Sequence, residues 1–242
     1  MVLPSGFSRK QPNRRMKPAE MHPERIRKTR ILIADDHPIV RYGLSQLIKQ
    51  EPDMCVSATA SGMTEALQVI ESGKVDLVIA GVTLGDGSGI DLIKHVKSKS
   101  DKLPILMFSM HDESLFAERV LRAGASGYLM KSEPVEKVLA AIRRVYDGNV
   151  CVSESIIKQL LNNQRTSPAD SHLASLQTLT DRELEVYNHI GRGKSTREIA
   201  GLLHINVKTV ETHCTHIIKK LDLKSMLELI HYASSWFHHI GR

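Results

Sequence analysis

Between positions 207 and 221 two sets of residues separate by helical spacing. Val210, Cys214, Ile217 and Leu221 recur at i, i+4, i+7 and i+11, one apolar stripe. Lys208, Glu211, Thr212, Thr215 and Lys219 fall on the other side. That outward set can do chemistry on duplex DNA. Lysine meets phosphate or guanine, glutamate accepts from cytosine N4, and threonine meets a thymine methyl or a phosphate. An ordinary solvated helix face has the same spacing, so spacing alone leaves both readings open.

Metal chemistry is the next candidate. His213 and His216 sit at i, i+3, and His231, His238 and His239 follow. A zinc site is conceivable, but no cysteine lies at finger spacing to them, and no metal is expected. Cys55, Cys151 and Cys214 are odd in number and far apart, which reads as reduced, mostly buried thiols. An acidic pair, Asp35-Asp36, closes the short apolar run Ile31-Leu32-Ile33-Ala34.

These residues need elements to hold them. Ile31–Ala34, Leu77–Ala80 and Ile105–Phe108 are continuous apolar runs, as strands buried on both faces require. Shorter stretches at Met54–Ala58 and Gly127–Met130 bring the strands to five. Helical stretches lie between and after them, at Pro38–Gln50, Met63–Glu71, Ile90–Lys97, Glu113–Ala123 and Pro134–Tyr146. The alternation predicts an α/β domain, a doubly wound five-stranded parallel sheet over 30–150, with its site at the carboxyl ends of the strands. Residues 151–175 read as a polar linker with one helix near Ser155–Leu161. Residues 176–242 show no strand-like alternation, and four helices are expected at Thr180–Ile190, Ser195–Leu203, Val207–Leu221 and Ser225–Phe237. Thr180 with Glu183 and Ser195 with Glu198 fit capping boxes, Gly191 and Gly193 a helix stop, and Asn206 a cap. The connection His204-Ile205-Asn206 makes the second and third of these helices a helix-turn-helix candidate.

Composition bounds the function. Of 242 residues, 41% are hydrophobic and 25% charged, the balance of a soluble globular protein. No apolar run approaches the roughly 20 residues that cross a bilayer, and the start has no secretory pattern, so a cytoplasmic protein without membrane contact is expected. The net charge of +6 is uneven: +7 over 1–30, −3 over 31–150, zero over 151–175 and +2 over 176–242. Most of the basic excess therefore belongs to residues 1–29, expected to be a disordered basic tail.

The residues also carry a resemblance. Leu179-Thr180-Asp181-Arg182-Glu183-Leu184-Glu185-Val186, Gly193-Lys194-Ser195-Thr196-Arg197-Glu198-Ile199-Ala200 and Lys208-Thr209-Val210-Glu211-Thr212-His213 with Lys219-Lys220-Leu221 resemble the LuxR-type helix-turn-helix of NarL/FixJ response regulators without a gap. The resemblance implies a recognition helix at about 207–221 with Glu211, Thr212 and Thr215 facing bases. It makes Lys194, Thr196, Lys208, Thr209 and Lys219 phosphate contacts or their neighbours. It also implies a last helix that pairs two subunits, for which Leu223, Leu227, Ile230 and Ser234 form the expected line.

Residues 30–150 resemble the receiver domain of the same family. The resemblance makes Asp35 and Asp36 the magnesium pair, Ser109 the hydroxyl position, Lys131 the phosphoryl-contacting lysine and Tyr128 the switch aromatic. It departs at the acceptor. Counting from Asp76 and back from Gly87-Ser88-Gly89, the phospho-acceptor position is Gly81, which has no side chain to phosphorylate. The proline usual in the following loop is Gly85, and Asp86, five residues on, is a poor substitute. Two readings of Asp35, Asp36, Ser109, Tyr128 and Lys131 remain. They form either a vestigial pocket kept for structure, Lys131 pairing with the acidic residues, or an altered switch occupied by a metal, an anion or a partner.

The sequence thus predicts a transcription regulator, not an enzyme, that binds double-stranded DNA as a homodimer. Neither a cofactor nor a small-molecule substrate is expected. Two alternatives stand beside it: a regulator phosphorylated at an unusual acceptor such as Asp86, and a heterodimerising module that does not read DNA.

Overall fold

The computed structural model describes residues 28–161 and 168–240. All but the last two residues of the expected 1–29 tail lie outside the described residues. Five strands form one sheet: β1 (Thr29–Ala34), β2 (Met54–Ala60), β3 (Leu77–Ala80), β6 (Ile105–Ser109) and β7 (Gly127–Met130). Every pairing is parallel and the order is β2-β1-β3-β6-β7. Strand order reverses between β1 and β3, so the residues that follow these two strands, from Asp35 and from Gly81, share one crevice.

Alternate strand residues feed two cores. Ile31, Ile33, Leu77, Ile79 and Leu106 pack on α1 (Pro38–Lys49) and α5 (Val135–Tyr146). Leu32, Ala34, Val78, Ala80 and Met107 pack on the opposite face, under α2 (Met63–Glu71), α3 (Gly89–Lys99) and α4 (Glu113–Arg122). A two-residue hairpin, β4 (Thr83–Leu84) with β5 (Gly87–Ser88), interrupts the β3–α3 crossover. It was not expected, since strands this short carry no periodicity.

The expected 151–175 linker holds two helices. In α6 (Glu154–Leu161), Ile156 is buried, and the Ser153 and Ser155 hydroxyls donate to Glu113 of α4. The second, α7 (Pro168–Leu176), was not foreseen; it begins on proline, whose fixed φ suits the first helical position. His172 of α7 stacks on Tyr232 with ring centroids 4.2 Å apart and lies 2.9 Å from the Tyr187 hydroxyl.

Four helices follow: α8 (Asp181–Gly191), α9 (Thr196–Leu202), α10 (Val207–Lys220) and α11 (Met226–Ile240). Both capping boxes form, Thr180 with Glu183 and Ser195 with Glu198, and Asn206 Oδ1 accepts from the Thr209 amide at 2.9 Å. Gly193, at φ +74°, stops α8; its amide and that of Lys194 return to Ile190 and His189. His204 (φ 51°) and Asp222 (φ 54°) make the same left-handed turn after α9 and α10 without being glycine.

The line expected on the last helix is unevenly exposed. Leu223 precedes α11 and packs against the core, and Ser234 is half-buried, its hydroxyl donating to the His231 carbonyl. Leu227 (76% exposed) and Ile230 (42%) are the most exposed apolar side chains of that line. Among the described residues no helix is long and apolar enough to cross a membrane.

Candidate nucleic-acid interface and acidic pocket

The sequence of α10 divides its surface as its spacing requires. Val210 and Ile217 are fully buried and Cys214 nearly so, whereas Lys208, Glu211, Thr212, Thr215 and Lys219 are exposed. Burial pushes the Cys214 thiol up to about 11, so it behaves as a small apolar side chain. Glu183, 3% exposed at the start of α8, ties down the far end of α10. Lys220 Nζ donates to it at 2.6 Å and His216 Nδ1 lies 3.7 Å away. Burial alone would raise the Glu183 carboxyl, yet Lys220 and the Thr180 cap hold it below its usual range. Sequence reasoning assigned Glu183 only its cap.

Within the outward set the hydroxyls are not free. Thr212 Oγ1 donates to the Lys208 carbonyl at 2.9 Å, and Thr215 Oγ1 to that of Glu211 at 3.0 Å. Thr209 is half-buried, its hydroxyl bonded to Asn206. Lys194 lies 3.6 Å from Glu198 just before α9, and Thr196 opens that helix half-buried. The histidines form no metal set among the described residues. His216 and His231 are exposed, His213 is half-buried, and the side chains of His238 and His239 lie outside the described residues.

The one group of three metal-type side chains among the described residues is Asp35, Asp36 and His37 after β1. Asp35 is 2% exposed. Its Oδ2 takes the Lys131 ammonium at 2.6 Å, and its Oδ1 accepts from the His37 amide at 2.9 Å. His37 Nδ1 turns to Asp36 Oδ1 at 2.6 Å. At Gly81 a Cβ would stand 2.8 Å from Asp35 Oδ2 and 3.2 Å from the Thr83 carbonyl. Asp35 therefore sits where a side chain at position 81 would begin. A receiver magnesium site wants hard oxygen ligands. Here Asp35 is already neutralised by Lys131 and position 81 offers no third oxygen, so these residues do not fit that ion.

Asp86 is committed elsewhere. It accepts from the Met63 amide and, at 3.1 Å, from the Thr64 amide, capping α2 in place of Gly62, which has no side chain. The Thr64 side chain, together with these amides, holds its carboxyl below the usual range against partial burial.

Ser109 and Tyr128 join the pocket to the loop after β6. The Ser109 hydroxyl accepts from the His111 amide at 3.1 Å, and the buried Tyr128 hydroxyl donates to the His111 carbonyl at 2.8 Å. The other side of the loop is held by α8. His111 Nδ1 lies 3.0 Å from Asn188 Oδ1, and Arg192 donates to the Met110 carbonyl at 2.7 Å. A partly open cavity of about 100 Å³ lies between them, lined by Asp36, Thr83, Ser109 and Lys131 on one side and His189, Arg192 and Leu202 on the other. Nearby, Arg119 of α4 donates to the Leu176 and Leu179 carbonyls at 2.7 Å and to Asp181 at 3.2 Å; Lys94 of α3 meets Asp181 at 2.6 Å. None of these cross-contacts was foreseen from sequence.

Buried ionisable groups lie close to this contact. Glu185 is wholly buried; one oxygen takes Arg182 at 2.7 Å and the other has no hydrogen-bond partner. Burial pushes its carboxyl up to about 7. Burial also depresses His111 to about 3 and His189 to about 4, so both are neutral here.

Comparison with known proteins follows the same division. The response regulator receiver domain matches residues 31–143, and the luxR family of bacterial regulatory proteins matches 177–233. The oxygen regulatory protein NreC of Staphylococcus haemolyticus is 38% identical over 208 residues, 84% of this chain and 96% of that protein. Its counterpart in Staphylococcus epidermidis is 36% identical over 209 residues, with the same coverage. Among solved structures, RcsB of Salmonella enterica bound to a promoter covers 86% of this chain and 99% of its own, with a TM-score of 0.59 at 23% identity. A LuxR-family two-component response regulator from Aurantimonas covers 57% of this chain and 98% of its own, at 34% identity and a TM-score of 0.53.

Proposed function

Since the chain belongs to the NarL/FixJ response regulators, a receiver domain joined to a LuxR-type DNA-binding domain, and is a transcription regulator of that kind, we propose that its receiver is controlled by something other than aspartyl phosphate. The observation that carries this is Asp35 Oδ2, held by Lys131 at 2.6 Å and lying 2.8 Å from where a Cβ on Gly81 would be. In this reading position 81 offers no carboxylate to phosphorylate, and Asp35 crowds the place where one would start. Asp86, turned into the N-terminus of α2, is no replacement.

In this reading Glu211, Thr212 and Thr215 face base edges, while Lys194, Thr196, Lys208, Thr209 and Lys219 serve the backbone. Leu227 and Ile230 on α11 offer the apolar surface through which two copies pair, setting two recognition helices about one DNA turn (roughly 34 Å) apart. Asp35, Asp36, Ser109, Tyr128 and Lys131 act as a structural cluster that fixes the loop after β6.

The test is chemical. The full chain is incubated with magnesium and acetyl phosphate and weighed intact, and its DNA affinity is measured before and after. We expect no added phosphoryl mass and unchanged affinity. One phosphoryl group per chain, on Asp86 or any other carboxylate, would overturn the proposal.

A further inference from the structure

The two threonines of α10 carry an inference that rests on the DNA-binding reading and deepens it. A threonine offers three things to a base edge: a hydroxyl proton, hydroxyl lone pairs and a γ-methyl. In Thr212 and Thr215 the proton is already used, donated to the Lys208 and Glu211 carbonyls at 2.9 and 3.0 Å. With the hydroxyl proton turned back onto the helix, the γ-methyl is left to meet a base edge. Both residues are exposed and stand at i, i+3, so two methyls lie one turn apart on the outward face. Beside them Glu211 can only accept. The lysines that could donate to guanine, Lys208 and Lys219, stand toward the two ends of the helix. The middle of the face therefore presents methyls and acceptors.

We infer that Thr212 and Thr215 read thymine C5-methyl groups by apolar contact, and that their hydroxyls donate no readout bond. The major groove presents that methyl only at thymine. The physical effect is small and definite: burying one methyl changes affinity about fourfold.

The experiment uses the full chain and duplexes that it selects from a random 20-base-pair library. Each selected thymine is then replaced in turn by deoxyuridine, which removes the methyl and nothing else. Wild-type affinity should fall about fourfold per subunit at the contacted positions and nowhere else. Thr212→Val and Thr215→Val keep a branched methyl and should bind within about twofold of wild type, still sensitive to deoxyuridine. Thr212→Ser and Thr215→Ser keep the hydroxyl, should lose about fourfold, and should no longer sense the substitution at their own position. Valine variants that fail while serine variants bind normally would overturn the inference in favour of hydroxyl readout. Affinity indifferent to deoxyuridine would overturn it in favour of phosphate contact. Both results leave DNA binding standing. A wild-type chain that enriches no duplex would instead remove the DNA-binding reading, and the inference with it.

Discussion

Asn188 Oδ1 of α8 stands 3.0 Å from His111 Nδ1 in the loop after β6, joining positions 77 apart in sequence and in different domains. His111 is at the same time the residue whose amide and carbonyl are bonded by Ser109 and Tyr128. The pocket and the DNA-binding domain thus hold one loop from two sides. What moves the loop must disturb both.

Arg119 is the strongest single tie across that contact, with two carbonyls and one carboxylate on its guanidinium. Arg119→Ala should weaken docking by on the order of 2 kcal/mol, the scale of hydrogen bonds to a charged group. The measurement is the radius of gyration in solution, which should rise, with amide exchange speeding in α8. An unchanged radius and unchanged exchange would show that docking does not depend on it.

Acid should open the same contact. His111 and His189, held near 3 and 4, contribute docking stability that is whole above their ordinary value of 6.5 and is lost as pH falls. Glu185 has the opposite sign. Held near 7, its contribution is whole below its ordinary 4.5 and lost as pH rises through 7. Between about pH 6 and 4.5 opening takes up about two protons on the histidines and releases about one from Glu185. The net is about one proton, a roughly tenfold gain in the open form per pH unit. Fluorescence transfer between labels on the two domains, followed from pH 7.5 to 5, should fall; a rise would reverse the assignment. Near neutrality the two effects largely cancel, and the signal should be flat.

Gly81→Asp should cost stability before it restores anything. The new Cβ meets Asp35 Oδ2, and a further carboxylate joins two that are already close. We expect a loss of roughly 1–3 kcal/mol, the usual range for overpacking, recovered in part by magnesium, together with partial phosphorylation by acetyl phosphate. Thermal unfolding with and without magnesium, alongside intact mass, reads both. If stability is unchanged and magnesium has no effect, Asp35 yields more easily than its pairing with Lys131 implies.

Lys219→Ala and Glu211→Ala should differ in kind. The first should weaken binding to every duplex and lower the slope of log affinity against log salt by about one per subunit. The second should change which bases are preferred, by roughly 1–3 kcal/mol at one position, with little change in slope. It should also raise non-specific affinity, since it removes a carboxylate near phosphates. Equal losses with equal slopes would mean that α10 turns a different face to the groove.

Legibility in the sequence followed the range of the interaction. Ile31–Ala34 and Leu77–Ala80 could be recognised because a strand buried on both faces is apolar throughout. The stripe Val210, Cys214, Ile217 was recognisable because one helix face repeats locally. Helix α7 was hidden, since what anchors it is His172 stacking on Tyr232, sixty residues away. The pairs Lys94–Asp181 and His111–Asn188 have no local pattern at all. That Asp35 lies beside Gly81 has no local pattern either; only the folded chain brings the two together.

That filled space has an evolutionary consequence. One nucleotide separates a glycine codon from an aspartate codon, so a return of the carboxylate at position 81 is mutationally near. It is structurally far, because the returning side chain finds Asp35 across its path and Lys131 already engaged. A lineage that crosses this point comes back only in part by that single change; a second change that frees Asp35 from Lys131 completes the return, and the pocket acts as a ratchet.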